Sequence, residues 1–169
     1  SFEVVGQNGL LTYGKDESQV WGQVIPGSIL PKFFGNNSIN KVARNAESLP
    51  SGNPVWVAVG GNGKLFKAEL KTNDYGNLIW EMGGFGSNWL STNYPELECC
   101  DPGFGLSTIR AIAHNGATGS NSLWVIVGDN GKLALSIDAV NWTQYQITYF
   151  GNLHDIAHNQ LSGLDGRWV

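Results

Sequence analysis

Apolar residues along this chain come in short bursts, broken by polar positions and closed by glycine and asparagine. In Trp56-Val57-Ala58-Val59-Gly60 and Trp124-Val125-Ile126-Val127-Gly128 the alternation has a period of two, as expected of a strand with one buried face. Asn62-Gly63 and Asn130-Gly131 follow, each a pair that tolerates positive φ, and they predict a tight two-residue hairpin. The returning strand runs through Leu133–Ile137, and a further strand begins near Trp142. Segments 39–45, 109–115 and 153–159 share the form Ile/Leu-x-x-Ile/Val-Ala-x-Asn, short and apolar, and suit the innermost strand of a sheet. The Gly-x-Asn-Gly stretch is thus a turn and not a phosphate loop, because strand residues rather than a helix follow it.

These elements recur. Leu123–Leu133 matches Val55–Leu65 at eight of eleven positions, and Ser1–Leu11 is the same segment with Phe2 in the Trp place. Arg167-Trp168-Val169 begins a further copy. The equivalent positions Phe2, Trp56, Trp124 and Trp168 lie 54, 68 and 44 residues apart, so the middle interval carries an insertion, Gly83–Gly105. Repeats of roughly 40–50 residues belong to propeller blades or helical arrays, and the Gly-punctuated, β-branched composition selects the propeller. The expected fold is all-β, a β-propeller of about three four-stranded blades in a single unit, 1–169. The repeats fall at approximately 1–45, 46–115 and 116–159, with a terminal strand at 160–169. Propellers close with about four to eight blades, so a second copy, further chain or a partner is expected to complete the ring.

Composition supports this class. Hydrophobic residues at 41% suffice for a core, while only 14% are charged, so Asn, Ser, Thr, Gln and Gly must supply the polar surface. The 23 glycines argue against long helices, where each interior glycine costs about 1 kcal/mol. A net charge of -4 with ten dispersed basic residues argues against nucleic-acid binding, which draws its affinity from clustered Lys and Arg. The apolar stretches are far shorter than the roughly 20 residues of a spanning helix, so no membrane insertion is expected. Cys99 and Cys100 are adjacent and offer no ordinary disulfide framework; they read as two thiols in a long loop. Sequons occur at Asn36-Asn37-Ser38 and Asn141-Trp142-Thr143, as chance allows in an Asn-rich chain.

Ser136-Ile137-Asp138-Ala139-Val140-Asn141-Trp142 resembles the Ser-x-Asp-Gly-x-x-Trp turn of Asp-box propellers, with Ala139 where glycine is usual. Asp16 with Trp21, and Asp74 with Gly76 and Trp80, hold similar places more loosely. Together with Ile-Ala-His-Asn and Trp-Val-x-Val-Gly-x-Asn-Gly, this looks like the degenerate propeller repeats of phage and other viral structural proteins. More distantly it is similar to photosystem II assembly-factor-like and sialidase-like propellers. The resemblance implies a fold and a structural use of the Asp-box turn; function has to be sought in particular residues.

A sialidase-like site would need an arginine cluster for a carboxylate, a Tyr/Glu nucleophile pair and an acid. Arg44, Arg110 and Arg167 are the chain's arginines, and they stand at different repeat positions. Arg44, His114 and His158 do share one repeated position. They either face an axial channel, holding an anion or a metal between copies, or serve as strand-end polar groups before a turn. The long insertion offers Asn88, Trp89, Asn93, Tyr94, Glu96 and Phe104, aromatics beside amide and acidic groups that suit stacking on sugars or docking a protein. The expectation is a non-catalytic binding or structural module with no cofactor and no metal, a viral or phage structural or receptor-binding component on a virion or outside the cell. A secreted glycan-binding lectin is the alternative, and a sialidase-like glycoside hydrolase stands behind both. Expected partners are a protein or a cell-surface glycan, with self-association or membership of a larger chain.

Overall fold

Residues 124–128 show how the alternating pattern is used. Trp124 and Ile126 point into one apolar cluster, and Val125 and Val127 into another on the opposite side. The strand is therefore buried on both faces, not one, because its sheet has packed neighbours on each side.

The computed structural model describes the backbone of residues 2–5, 11–14, 21–22, 34–47, 52–72, 74–76, 78–85, 100–148, 151–161 and 165–169; side chains are described for these except in 2–22 and 78–85. The eleven strands are β1 (Phe2–Val5), β2 (Leu11–Gly14), β3 (Trp21–Gly22), β4 (Ile39–Arg44), β5 (Val55–Gly60), β6 (Leu65–Thr72), β7 (Leu78–Phe85), β8 (Ile109–His114), β9 (Trp124–Gly128), β10 (Lys132–Ser136) and β11 (Thr143–Gln146). They form three antiparallel sheets of consecutive strands, β1-β2-β3, β4-β5-β6-β7 and β8-β9-β10-β11. The protein is all-β.

The second and third sheets meet through their leading strands, β4 and β8. Asn40 Nδ2 donates to the Ile109 carbonyl at 2.8 Å, tying the two together. Val57, Val59 and Leu65 of the second sheet share one buried cluster with Ile109, Ile112, Trp124 and Ile126 of the third. Beyond β11 the chain returns: Leu153, Ile156 and Trp168 cover Ala111, Val125 and Val127. Ala157 and Val169 exchange backbone hydrogen bonds of 2.8 and 2.9 Å, and His158 bridges Trp168, the same pairing His114 makes with Trp124. Lys41 crosses from β4 to this returning segment, where it pairs with Asp155 and donates to the Ile156 carbonyl at 2.9 Å.

Both Asn-Gly pairs sit in the left-handed region, Asn62 and Asn130 at φ 56° and 61°, Gly63 and Gly131 at 65° and 66°. Lys64 N donates back to the Gly61 carbonyl at 3.3 Å, closing the turn. The hairpin is not a plain two-residue one, however. Gly60 N, and not Gly61 N, donates to the Lys64 carbonyl (3.0 Å), since Gly61 N is drawn to the Ser38 carbonyl at 3.1 Å; Asp129 N reaches Thr108 O in the same way at 3.0 Å. The turn thus doubles as an anchor for the residue that enters β4 or β8.

Close approach here explains Gly128. A Cβ on it would lie 2.1 Å from the Thr108 carbonyl oxygen and 2.9 Å from Phe104 Cε1. Backbone cannot yield cheaply, so Gly128→Ala is expected to cost about 1–3 kcal/mol in urea unfolding. Gly151→Ala, which meets nothing within 4 Å, is the control and should stay within about 0.5 kcal/mol of the parent.

Candidate functional site

At the far end of each leading strand stands Arg44, His114 or His158, directly opposite a tryptophan in register. Arg44 lies over Trp56 with its guanidinium carbon 5.2 Å from the ring centroid. His114 and Trp124 have centroids 4.4 Å apart at 49°, and His158 and Trp168 repeat this at 4.6 Å and 51°. Each of the three side chains is engaged with the tryptophan of its own hairpin. A cross-strand pair is what the repeated position builds.

His114 is only 4% exposed. Its Nδ1 accepts from Gly116 N at 3.1 Å, and its Nε2 lies 2.9 Å from Ser122 Oγ. Since Nδ1 is an acceptor, the neutral ring carries its proton on Nε2 and donates to the serine. Burial, reinforced by the nearby His158, lowers its pKa from 6.5 to about 4, so the imidazole is neutral near pH 7.

The next residue in each strand is asparagine, and it holds the following loop. Asn115 Oδ1 accepts from Ala117 N and Leu123 N at 3.1 and 3.0 Å, while its Nδ2 donates to the Asn121 carbonyl at 2.8 Å. Asn159 does the same with Leu161 N, Arg167 N and Asp165 O. Asn45 serves Val55 N and Asn53 O. Asn115→Ala would leave two amides and a carbonyl without these partners. It is expected to lower stability by about 2 kcal/mol, read as a shift of the urea midpoint without change in m.

Side by side, these loops enclose two grooves at one end of the sheets. One, about 280 Å3, is lined by Asn45, Asn53, Ala117 and Ser122 and also by Glu69, Trp124 and Asp138. The other, about 520 Å3, is lined by Asn115, Asn121, His158, Gln160 and Trp168. Glu69 is not free for chemistry. Burial pushes its carboxyl up, but hydrogen bonds from Asn53 and Lys67 and the charges of Lys67 and Lys71 outweigh this and leave its pKa lowered.

Asp138 is likewise spent on structure. Its Oδ1 accepts from Val140 N and Asn141 N at 2.8 Å each and from Ser136 Oγ at 2.9 Å, and its Oδ2 from Asn141 Nδ2 at 2.8 Å. Partial burial raises the carboxyl, yet these bonds dominate and hold it at about 2. Ala139 takes the glycine-like position at φ 58°, and Trp142 packs against the cluster shared by the second and third sheets.

Phe104 requires reassignment from binding loop to core. It is 0% exposed, because Gly128 leaves room for its ring edge and the chain turns at Gly105 (φ 57°) into β8. Its carbonyl accepts from Ser107 N at 3.0 Å and Lys132 Nζ at 2.9 Å. Phe34 is placed alike, with Gly35 at φ 58°, Asn37 N on its carbonyl at 3.0 Å and Lys64 Nζ at 3.3 Å. Burial lowers the Lys64 pKa. Asn88, Trp89, Asn93, Tyr94 and Glu96 lie outside the described residues. Cys100 is not a thiol: it is disulfide-bonded, buried, and at φ 71°. Among the described residues no cluster of His, Cys, Asp or Glu is placed to hold a metal, and no helix is long and apolar enough to cross a membrane.

Fold and site together define an all-β protein of antiparallel three- and four-stranded sheets whose polar strand-end residues build its own loops. No protein-family model matches the sequence, and no curated protein matches it. Among solved structures, the chain is similar to one in the crystal structure of the Chaetomium thermophilum polycomb repressive complex 2 (PRC2), at 14% identity and a TM-score of 0.45, over 79% of this chain and 24% of that one.

Proposed function

We propose that this chain is a non-catalytic β-propeller module that presents loops for binding, as a structural or receptor-binding component of a viral or phage particle. One observation carries the reading: the recurring polar side chains that a catalytic reading would call upon are committed to the protein's own framework. His114, Asn115 and Asp138 each spend their polar atoms on neighbouring backbone or side chains, and Arg44 lies over Trp56. What such a framework offers is a set of held loops with grooves between them, a surface for recognition. Two consecutive antiparallel four-stranded sheets that meet through their leading strands support the propeller reading, in which a second copy or further chain would complete the ring.

A test combines light scattering after size exclusion with a panel of fluorogenic glycosides, sialosides included. Assembly beyond 18.3 kDa with no turnover is the expected result. Turnover that is abolished by removing one acidic residue would overturn it in favour of a glycoside hydrolase. The lectin reading is favoured by one feature, the 520 Å3 groove, whose described lining residues include no Asp, Glu, Lys or Arg.

A further inference from the structure

The two histidine–tryptophan pairs differ at one neighbour. Around His114, a ring nitrogen accepts from backbone Gly116 N and the other meets a hydroxyl, Ser122 Oγ at 2.9 Å. Around His158 the first bond is kept, Gln160 N donating to Nδ1 at 3.0 Å, so the neutral ring again presents an N–H at Nε2. Ser122 stands two residues before Trp124; two residues before Trp168 stands Gly166. Among the described residues, no side chain meets His158 Nε2 as Ser122 meets His114. His158, Gly166 and Trp168 all line the 520 Å3 groove, with Asn115, Asn121 and Gln160.

We propose that this groove binds an uncharged saccharide, one of whose hydroxyls takes on His158 Nε2 the place that Ser122 Oγ takes on His114. The protein thus carries its own template for the contact. A sugar hydroxyl accepts from an imidazole N–H as a serine hydroxyl does, and the apolar face of a pyranose suits an indole such as Trp168. The side-chain amide of Asn121 and the Oε1 of Gln160, whose Nε2 is already given to the His114 carbonyl at 2.7 Å, supply the donors and acceptors that a polyol needs. Among the described lining residues there is no carboxylate, ammonium or guanidinium to pair with an ionic ligand. Its volume falls within the roughly 300–1,000 Å3 of small-molecule sites. The smaller groove is a poor second site, since Ser122 already occupies His114 and three carboxylates, Glu47, Glu69 and Asp138, line it.

This inference rests on the binding-module reading only in taking this end of the sheets as accessible, and does not need assembly into a particle. The test is saturation-transfer NMR on the full chain with methyl glycosides of mannose, galactose and N-acetylglucosamine, and N-acetylneuraminic acid as charged comparator. Transfer to at least one neutral glycoside is expected, with little to the acid. Gly166 corresponds to Ser122, so Gly166→Ser is chosen to set a hydroxyl against His158 as Ser122 is set against His114. It should weaken binding on the order of tenfold or more while thermal unfolding stays in place. Backbone and indole 15N shifts of the unaltered chain give a footprint that depends on no variant, expected to centre on His158, Gln160 and Trp168. The idea is overturned if no neutral glycoside binds, if shifts centre elsewhere, or if folded Gly166→Ser binds as the parent does. Capture of a protein partner with no saccharide in this groove would also overturn it, and would leave the module reading standing.

Discussion

Phe104→Ala is expected to remove about 3–5 kcal/mol of unfolding free energy, the usual cost of deleting a fully buried phenylalanine. The ring has no exposed surface and belongs to the cluster that joins the second and third sheets, beside Ile109, Ile112 and Trp124. On one side the ring edge faces the Gly128 backbone, which has no side chain to move into the space. Against the roughly 5–15 kcal/mol of an ordinary domain this is a large fraction, and urea unfolding will show it as a fall in midpoint. Phe104→Leu, which keeps most of the volume, should cost well under half as much. A ligand-contacting Phe104 would behave otherwise. Its alanine variant would keep the parent's midpoint and lose only binding, and that result would return the residue to the loop surface.

The same residue shows what was legible in the sequence. The strand pairs β5–β6 and β9–β10 announce themselves through alternation and Asn-Gly, because a hairpin's side-chain period and its turn chemistry are both local. The turn at Asp138 is legible for the same reason, its acceptors being satisfied within three residues. Phe104 looks like a loop aromatic when read alone. The signal that places it is a second repeat: Phe34-Gly35 stands five residues before Ile39 as Phe104-Gly105 stands before Ile109. Gly60 and Gly128 read equally well as turn residues, yet both are extended, and what excludes a side chain there is a carbonyl from a segment twenty or more residues away. The commitment of His114 to Ser122 and Trp124 is likewise set by the hairpin's register, which the sequence marks only as a repeated His-Asn. Disulfide bonding at Cys100 follows from no spacing rule, since adjacent cysteines are poorly placed for one.

His114 also dictates how stability responds to pH. Its pKa is about 4 in the folded protein against an ordinary 6.5, so between these values the unfolded chain binds a proton that the folded one refuses. Stability therefore rises with pH across this window, is fully present above about 6.5, and is progressively lost as pH falls toward 4. A shift of this size corresponds to about 3 kcal/mol. The carboxylates act elsewhere on the axis. Asp138, Glu69 and Asp155 have lowered pKa values, so their contributions are present above about 4.5 and are lost only below it. Urea unfolding at pH 5 and pH 7 thus spans the window in which His114 acts, and a variant without its imidazole separates its share. The parent should lose on the order of 2 kcal/mol between them. In His114→Gln, whose amide can still donate to Ser122 and accept from Gly116 N but does not titrate, the loss should shrink to a few tenths. A parent whose midpoint is flat from pH 7 to pH 5 would mean that the ring accepts a proton where it stands. It would then have to be solvated, and the tilted pair with Trp124 could not be the closed, water-excluding contact that its burial and geometry describe.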